Sequence, residues 1–209
     1  MEIQSFSLGP LGTNCYILKK EKEALIFDPG GSPQEIIQHI EQEKLIPKAI
    51  MLTHAHFDHI GGVDKLRTHF NLPVYLHNEE REWLEDPKLN RSFIYGGEVG
   101  AIRTKAPDII LQSGTKTIDR FKFEVVHMPG HSPGSVGFIF KEEHFIISGD
   151  VMFHHGVGRT DLPGGDFTQL MQSIQKHLFS LPDSFVVYPG HGVQTTIGEE
   201  RKNNPYIIL

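Results

Sequence analysis

An α/β fold, with strands in two blocks and helices flanking them, is what this 209-residue sequence predicts. Three observations predict it. Short apolar runs bounded by turn residues recur in both halves of the chain. Stretches of helical apolar spacing lie between them. Four of the apolar runs lead into side chains able to ligate a metal. Residues 49–53 run into His54, His56, Asp58 and His59, and residues 123–127 lead to Gly130-His131. Residues 145–149 end at Asp150, and residues 185–188 lead to Gly190-His191.

Residues 3–8 and 14–19 read as strands separated by the turn Gly9-Pro10-Leu11-Gly12, and residues 24–27 as a third strand ending in Asp28-Pro29-Gly30-Gly31. A helix is expected next. Ser32 suits the N-cap, Pro33 the first helical position and Glu35 the third position of a capping box, with Ile36, Ile37 and Ile40 along one face. Pro47 closes that connection and residues 49–52 form the next strand. Val63, Leu66, Arg67 and Phe70 then follow helical spacing, and residues 74–76 read as a strand. Residues 78–114 are polar, aromatic and less regular. Residues 79–84 suit a short helix and Gly96-Gly97 marks a loop. The stretch is a candidate flap over a substrate, or an ordinary surface excursion.

The second half returns to strands at residues 121–127, 135–140, 144–148 and 185–188. Asp166 can cap a helix whose stripe of Phe167, Leu170, Met171, Ile174 and Leu178 packs against a sheet. Thr196-Ile197-Gly198-Glu199 begins a short terminal helix. Nothing resembling a linker interrupts the chain, so a single domain over 1–209 is expected.

Composition narrows the function. Twenty basic and 26 acidic side chains give a net charge of −6, which argues against nucleic acid or an anionic membrane as a partner. The start, Met1-Glu2-Ile3-Gln4, carries no signal-peptide pattern, and no run is long enough to span a bilayer. The one cysteine, Cys15, has no internal disulfide partner, which suits a reducing cytoplasm. It sits in a strand-like run and reads as a small buried hydrophobe. A monomer or small homo-oligomer acting on a small molecule is expected.

Three histidines and an aspartate within residues 54–59 are hard to explain as packing. In extended backbone, His54 and His56 share a face. Asp58 and His59 fall where the chain turns, so they diverge and can serve a second ion. Gly61-Gly62 leaves room for tight backbone beside them. His131, Asp150 and His191 each follow a glycine, and Asp150 is the natural bridge because a carboxylate can hold one ion with each oxygen. Five imidazoles and two carboxylates exceed what one tetrahedral ion needs. That excess points to two ions about 3.5–4 Å apart sharing a water. Two divalent ions are therefore expected, zinc first, with iron or manganese as alternatives. The other histidines, His154 and His155 among them, lack this placement and read as surface or core residues.

The run His54-x-His56-x-Asp58-His59, followed by His131, Asp150 and His191, resembles the signature of the metallo-β-lactamase superfamily. That resemblance implies a four-layer αβ/βα sandwich of two mixed β-sheets with outer helices. Within the superfamily the chain looks like the short bacterial glyoxalase II-like hydrolases, through Pro129-Gly130-His131-Ser132-Pro133-Gly134 and the segment 156–166. It implies His54, His56 and His131 on one ion, Asp58, His59 and His191 on the second, and Asp150 bridging. The implied reaction is hydrolysis of a 2-hydroxyacyl thioester such as S-D-lactoylglutathione, with metal-bound hydroxide attacking the carbonyl and Asp58 orienting the water. Only 18 residues follow His191, so the C-terminal helical domain that grips glutathione in the longer relatives is not expected. Arg159, in a glycine-rich loop, and Tyr188 are the candidate substrate contacts, with Lys105 a weaker one. The rival readings are an iron-dependent persulfide dioxygenase using His54, His131 and Asp150, and a non-catalytic metal-stabilised binding domain.

Overall fold

The computed structural model describes residues 1–95 and 100–207, so the expected loop at Gly96-Gly97 lies outside the described residues. The chain forms two compact units: Met1–Leu111 with Ile118–Phe121, and Gln112–Thr117 with Lys122–Leu209.

The first unit holds strands β1 (Glu2–Leu8), β2 (Thr13–Lys20), β3 (Glu23–Phe27), β4 (Ile46–Met51), β5 (Val74–His77) and β6 (Ile109–Leu111) in one sheet, in that order. β1 to β3 are antiparallel, and β3 to β6 run parallel. The parallel part needs crossovers. Helices α1 (Pro33–Gln42) and α3 (Val63–Phe70) supply two of them. Their apolar faces, Ile36, Ile37 and Ile40 on α1 and Val63 and Leu66 on α3, share one core with Ile17, Ile26, Ile50, Val74 and Leu76. Burial on both faces is why β3 and the end of β4 read as unbroken apolar runs. Between β4 and α3 the chain passes through the ligand run and the single turn α2 (Phe57–Ile60).

One local expectation fails here, and another is met in a tighter form. Ser32 sits at φ +41° and makes no side-chain cap, so the capping box does not form. Its left-handed backbone aims the hydroxyl away from the amides a β-region N-cap would reach. Residues 79–84 do turn, but as a tighter 3₁₀ segment, Asn78–Leu84. A second such turn, Ser92–Tyr95, and β6 are the regular structure described between there and residue 114.

In the second unit the sheet order is β14 (Thr195–Thr196), β13 (Val186–Pro189), β10 (Phe145–Gly149), β9 (Val136–Phe140), β8 (Phe121–His127) and β7 (Gly114–Ile118). β10 and β13 are parallel, whereas β8–β9, β9–β10 and β13–β14 are antiparallel. A small hairpin, β11 (Met152–Phe153) with β12 (Gly156–Val157), follows β10 directly. Helix α4 (Phe167–Ser173) continues as a wider turn through Ile174–Leu178, and helix α5 (Ile197–Asn203) closes the unit. Leu170, Ile174 and Leu178 pack in one core with Val126, Ile139, Ile146, Val187 and Ile197. Asp166 caps α4 by accepting the Gln169 N–H at 2.9 Å. Phe167 departs from the expected stripe and is 48% exposed, because it occupies the first helical position, before the buried face begins.

Each unit thus combines one mixed sheet with flanking helices, the make-up expected of the αβ/βα fold class. Among the described residues no helix is long and apolar enough to cross a membrane. Cys15 is fully buried on β2, and that burial pushes its thiol well above the usual range. A thiol kept protonated and out of solvent is a poor nucleophile. A thiol reagent is therefore expected to label no site on the native chain and one per chain after denaturation. Rapid native labelling would contradict the burial.

Candidate metal centre

The first unit brings His54, His56, Asp58 and His59 together. The backbone from Leu52 to His56 is irregular rather than a strand, yet the His54 and His56 rings lie 4.8 Å apart and the His54 and His59 rings 4.1 Å apart. All four side chains are buried. Buried imidazoles at such density must have their protons placed, and the partners here place them. Thr53 Oγ1 lies 2.6 Å from Asp28 Oδ2 and 3.0 Å from His54 Nδ1. A carboxylate only accepts, so the hydroxyl gives its proton to Asp28 and accepts from His54 Nδ1–H. The same Asp28 oxygen lies 3.1 Å from His59 Nδ1 and accepts that proton too. Asp28 Oδ1 takes the Thr53 N–H at 2.8 Å. One buried carboxylate thus fixes two imidazole tautomers and leaves the Nε2 lone pair of each for a ligand role.

Asp58 is oriented by Thr13, whose hydroxyl donates to its Oδ2 at 2.8 Å. Asp58 Oδ2 stands 3.5 Å from His59 Nε2. Glu80, fully buried, accepts the N–H of Ala55 and so fastens the backbone between His54 and His56. Sequence reading missed Thr13 and Glu80 and took Asp28 only as part of a turn. The partners of Thr13 and Asp28 lie 25 to 45 residues along the chain, and no local pattern announces them.

The second unit assembles His131, Asp150 and His191. Parallel pairing of β10 with β13 aligns Gly149 with Pro189, and the Gly190 N–H donates to the Gly149 carbonyl at 2.8 Å. That pairing sets His191 beside Asp150. Asp150 Oδ2 lies 3.5 Å from His191 Nε2 and 3.7 Å from His131 Nε2. These separations exceed a good hydrogen bond. They match two donors on one coordination sphere, about 3.3 Å apart for metal–donor bonds of ~2.0–2.1 Å. One Asp150 oxygen faces both imidazoles, where the sequence suggested one ion for each oxygen. His131 Nδ1 donates to the Arg159 carbonyl at 2.8 Å, so this ring too presents Nε2. Imidazoles, three of them with Nδ1 engaged, together with carboxylates and no thiolate, form an N/O donor set suited to divalent zinc, iron or manganese.

The remaining candidates are placed differently. The Arg159 guanidinium forms a two-point pair with Asp161, at 2.8 and 2.7 Å. That pairing holds the exposed Asp161 carboxyl at about 2. Arg159 acts on the ligand set through its carbonyl. Tyr188 packs edge-on against Phe145 at 5.5 Å, and burial raises its phenol. Lys105 meets Asp64 through its main-chain N–H. His127 bonds the Pro133 carbonyl at 2.8 Å, as a satisfied structural residue does.

Comparison with known proteins bears on the same residues. The family model for the metallo-β-lactamase superfamily matches residues 8–191. A probable metallo-hydrolase of Bacillus subtilis, YqgX, is 44% identical over 99% of this chain and 98% of its own. The hydroxyacylglutathione hydrolase GloC of Haemophilus influenzae is 37% identical, covering 99% and 98%. Among solved structures, the B3 metallo-β-lactamase BLEG-1 matches at 48% identity and TM-score 0.95, over 98% of this chain and 99% of that one. TTHA1623, solved in a di-iron-bound form, matches at 37% and 0.86, over 98% and 100%. With donor sets of this chemistry, the cofactors are two divalent metal ions, variable among zinc, iron and manganese, and the chain is a metal-dependent hydrolase. Matched from Leu8 through His191, with a histidine–aspartate run, a glycine–histidine loop and a strand-end aspartate in sequence order, the chain belongs to the metallo-β-lactamase superfamily.

Proposed function

We propose that the chain hydrolyses thioesters of 2-hydroxy acids, with S-D-lactoylglutathione as the reference substrate. On this reading His54, His56 and His131 would hold one ion, Asp58, His59 and His191 the other, and Asp150 would serve both. The observation that most supports it is the match, nearly end to end on both chains, to a protein named as a hydroxyacylglutathione hydrolase. Bound ions supply Lewis acidity and lower the pKa of water. The protein's own residues set the charge. As metal ligands the imidazoles would bring no charge, so Asp58 and Asp150 would offset only part of the charge of two dications. Ions held there would supply positive charge suited to an oxyanion and a departing thiolate. Asp58, steered by Thr13, is placed to orient a water and take up its proton. Arg159 and Tyr188 are the proposed substrate contacts, with Arg159 exchanging Asp161 for an anionic group on the thiol.

A second reading has a specific observation behind it. The 48% identity to BLEG-1 favours cleavage of a β-lactam amide by the same ligands. The test is one panel on zinc-loaded protein: lactoyl thioesters of glutathione and of a second low-molecular-weight thiol, a β-lactam, and a persulfide in an oxygen electrode. Thiol release without oxygen uptake is expected, falling by ~10²–10⁴-fold in Asp58→Asn as suits a lost acid–base group. Turnover of the β-lactam alone, or oxygen uptake with the persulfide, would replace the thioesterase reading.

A further inference from the structure

The hairpin β11–β12 turns through two histidines, and neither takes part in the centre described above. His154 and His155 are the two loop residues between Phe153 and Gly156. Their rings stack at 4.0 Å with planes 22° apart. His155 occupies φ +56°, a position where Gly or Asn is ordinarily less strained. A third donor comes from α5. Glu199 Oε1 lies 2.8 Å from His155 Nε2. One donor atom from each of His154, His155 and Glu199 lies within 4.8 Å of the other two.

The scaffold beneath is fixed. Glu200, fully buried, accepts the His155 N–H at 2.9 Å and the Asn204 side-chain amide at 2.7 Å, as well as the Thr195 hydroxyl. Glu199 is held by its own N–H to Thr196 Oγ1 at 3.1 Å and by Asn203 Nδ2 at 2.9 Å. The backbones carrying the three donors are therefore tied to one another, and only side-chain torsions remain to be set. All three side chains reach solvent, so an ion has a route in.

We propose that His154, His155 and Glu199 form a surface site for one borderline divalent transition-metal ion, of the zinc, nickel or copper class, separate from the seven-ligand centre. Two imidazoles and one carboxylate, with water completing the sphere, are a donor set such ions accept. The ion takes the place of the proton that His155 and Glu199 share. Donors that close to the ~3.3 Å spacing implied by metal–donor bonds of ~2.0–2.1 Å require only rotation of exposed imidazoles. Its physical effect is a staple between the hairpin turn and α5. The hairpin leads on to Gly158 and Arg159, whose carbonyl carries His131 Nδ1–H.

The test compares zinc uptake at equilibrium dialysis, on full-length protein already loaded with zinc and desalted. The probe is zinc ion alone, at micromolar concentration. Variants are His155→Asn, which suits a left-handed backbone, His154→Gln and Glu199→Gln. Wild type is expected to hold one equivalent more than each variant, and its Tm to rise with added zinc where theirs does not. Each substitution should weaken this uptake by more than the ~10–100-fold typical of removing a group one shell out from a metal. The difference between proteins is the readout, so the result does not depend on how many ions the main centre holds or what it hydrolyses. Equal uptake by wild type and all three variants would falsify the proposal.

Discussion

Replacing Asp28 by Asn is expected to deprive the chain of metal before it deprives it of its fold. Asp28 is 1% exposed and accepts three hydrogen bonds, from the Thr53 amide, the Thr53 hydroxyl and His59 Nδ1. An asparagine keeps the volume but turns one acceptor oxygen into a donor. With its oxygen left on the Thr53 N–H, its amide nitrogen faces both the Thr53 hydroxyl and His59. The hydroxyl must then turn its proton toward His54 Nδ1, and His59 must accept at Nδ1. Both imidazoles are pushed to the tautomer that carries the proton on Nε2, the atom needed for a ligand bond. Metal affinity should fall by at least the ~10–100-fold seen when groups behind metal ligands are removed. Stability should fall by about 2–3 kcal/mol, the scale of one hydrogen bond to a charged group. Asp28→Ala should lose a further ~1–3 kcal/mol, because the buried Thr53 N–H is left without its acceptor. Zinc competition with a chromophoric chelator and urea unfolding of the metal-free proteins separate the two effects. Unchanged zinc affinity in Asp28→Asn would show that Asp28 does not set the tautomers.

What the sequence revealed and what it hid divide along chain distance. The clustering of residues 54–59 was legible because three histidines and an aspartate sit so close in the chain, and the placing of Asp150 and His191 because each follows an apolar run and a glycine. Strand interiors were legible because positions such as those of β9, buried throughout, must be apolar. Hidden were the residues whose meaning lies in a distant partner: Thr13 for Asp58, Asp28 for His59, Glu80 for Ala55. Ser32 had the right chemistry for a cap but sits in a left-handed backbone, which the residue type does not announce. Arg159 drew notice as a substrate contact in a glycine-rich loop, whereas its carbonyl is what touches His131. Neither the parallel order β3 to β6 nor the pairing of β10 with β13 follows from local pattern, because both depend on crossovers; the family resemblance implied two mixed sheets with outer helices but not this strand order.

Alanine at Gly30 or Gly158 is expected to be more damaging than any substitution on the surface, for the same reason in each half of the ligand set. A Cβ on Gly30 would lie 1.6 Å from the carbonyl oxygen of Asp58. One on Gly158 would lie 1.8 Å from the carbonyl oxygen of Asp150 and 3.1 Å from His131 Cβ. Neither collision is with a flexible side-chain tip. Each is with the backbone of a proposed ligand, so relief requires moving Asp58 or Asp150 itself. Overpacking a well-filled site typically costs ~1–3 kcal/mol, and a backbone obstacle places these variants at or beyond the upper end. Their metal content should fall with the displaced ligand even where the chain still folds. Gly156→Ala is the control. It lies two residues from Gly158, and its nearest neighbour would be Phe153 Cβ at 3.8 Å, an ordinary contact. Restricting the unfolded chain there should leave stability level or raise it by about 0.4–1 kcal/mol. Urea midpoints with m-values, read beside zinc content, order the three variants. Should Gly158→Ala unfold at the wild-type midpoint with full zinc, the backbone of Asp150 is not pressed against this glycine, and the tight packing that fixes the second ligand set is not what holds Asp150 in place.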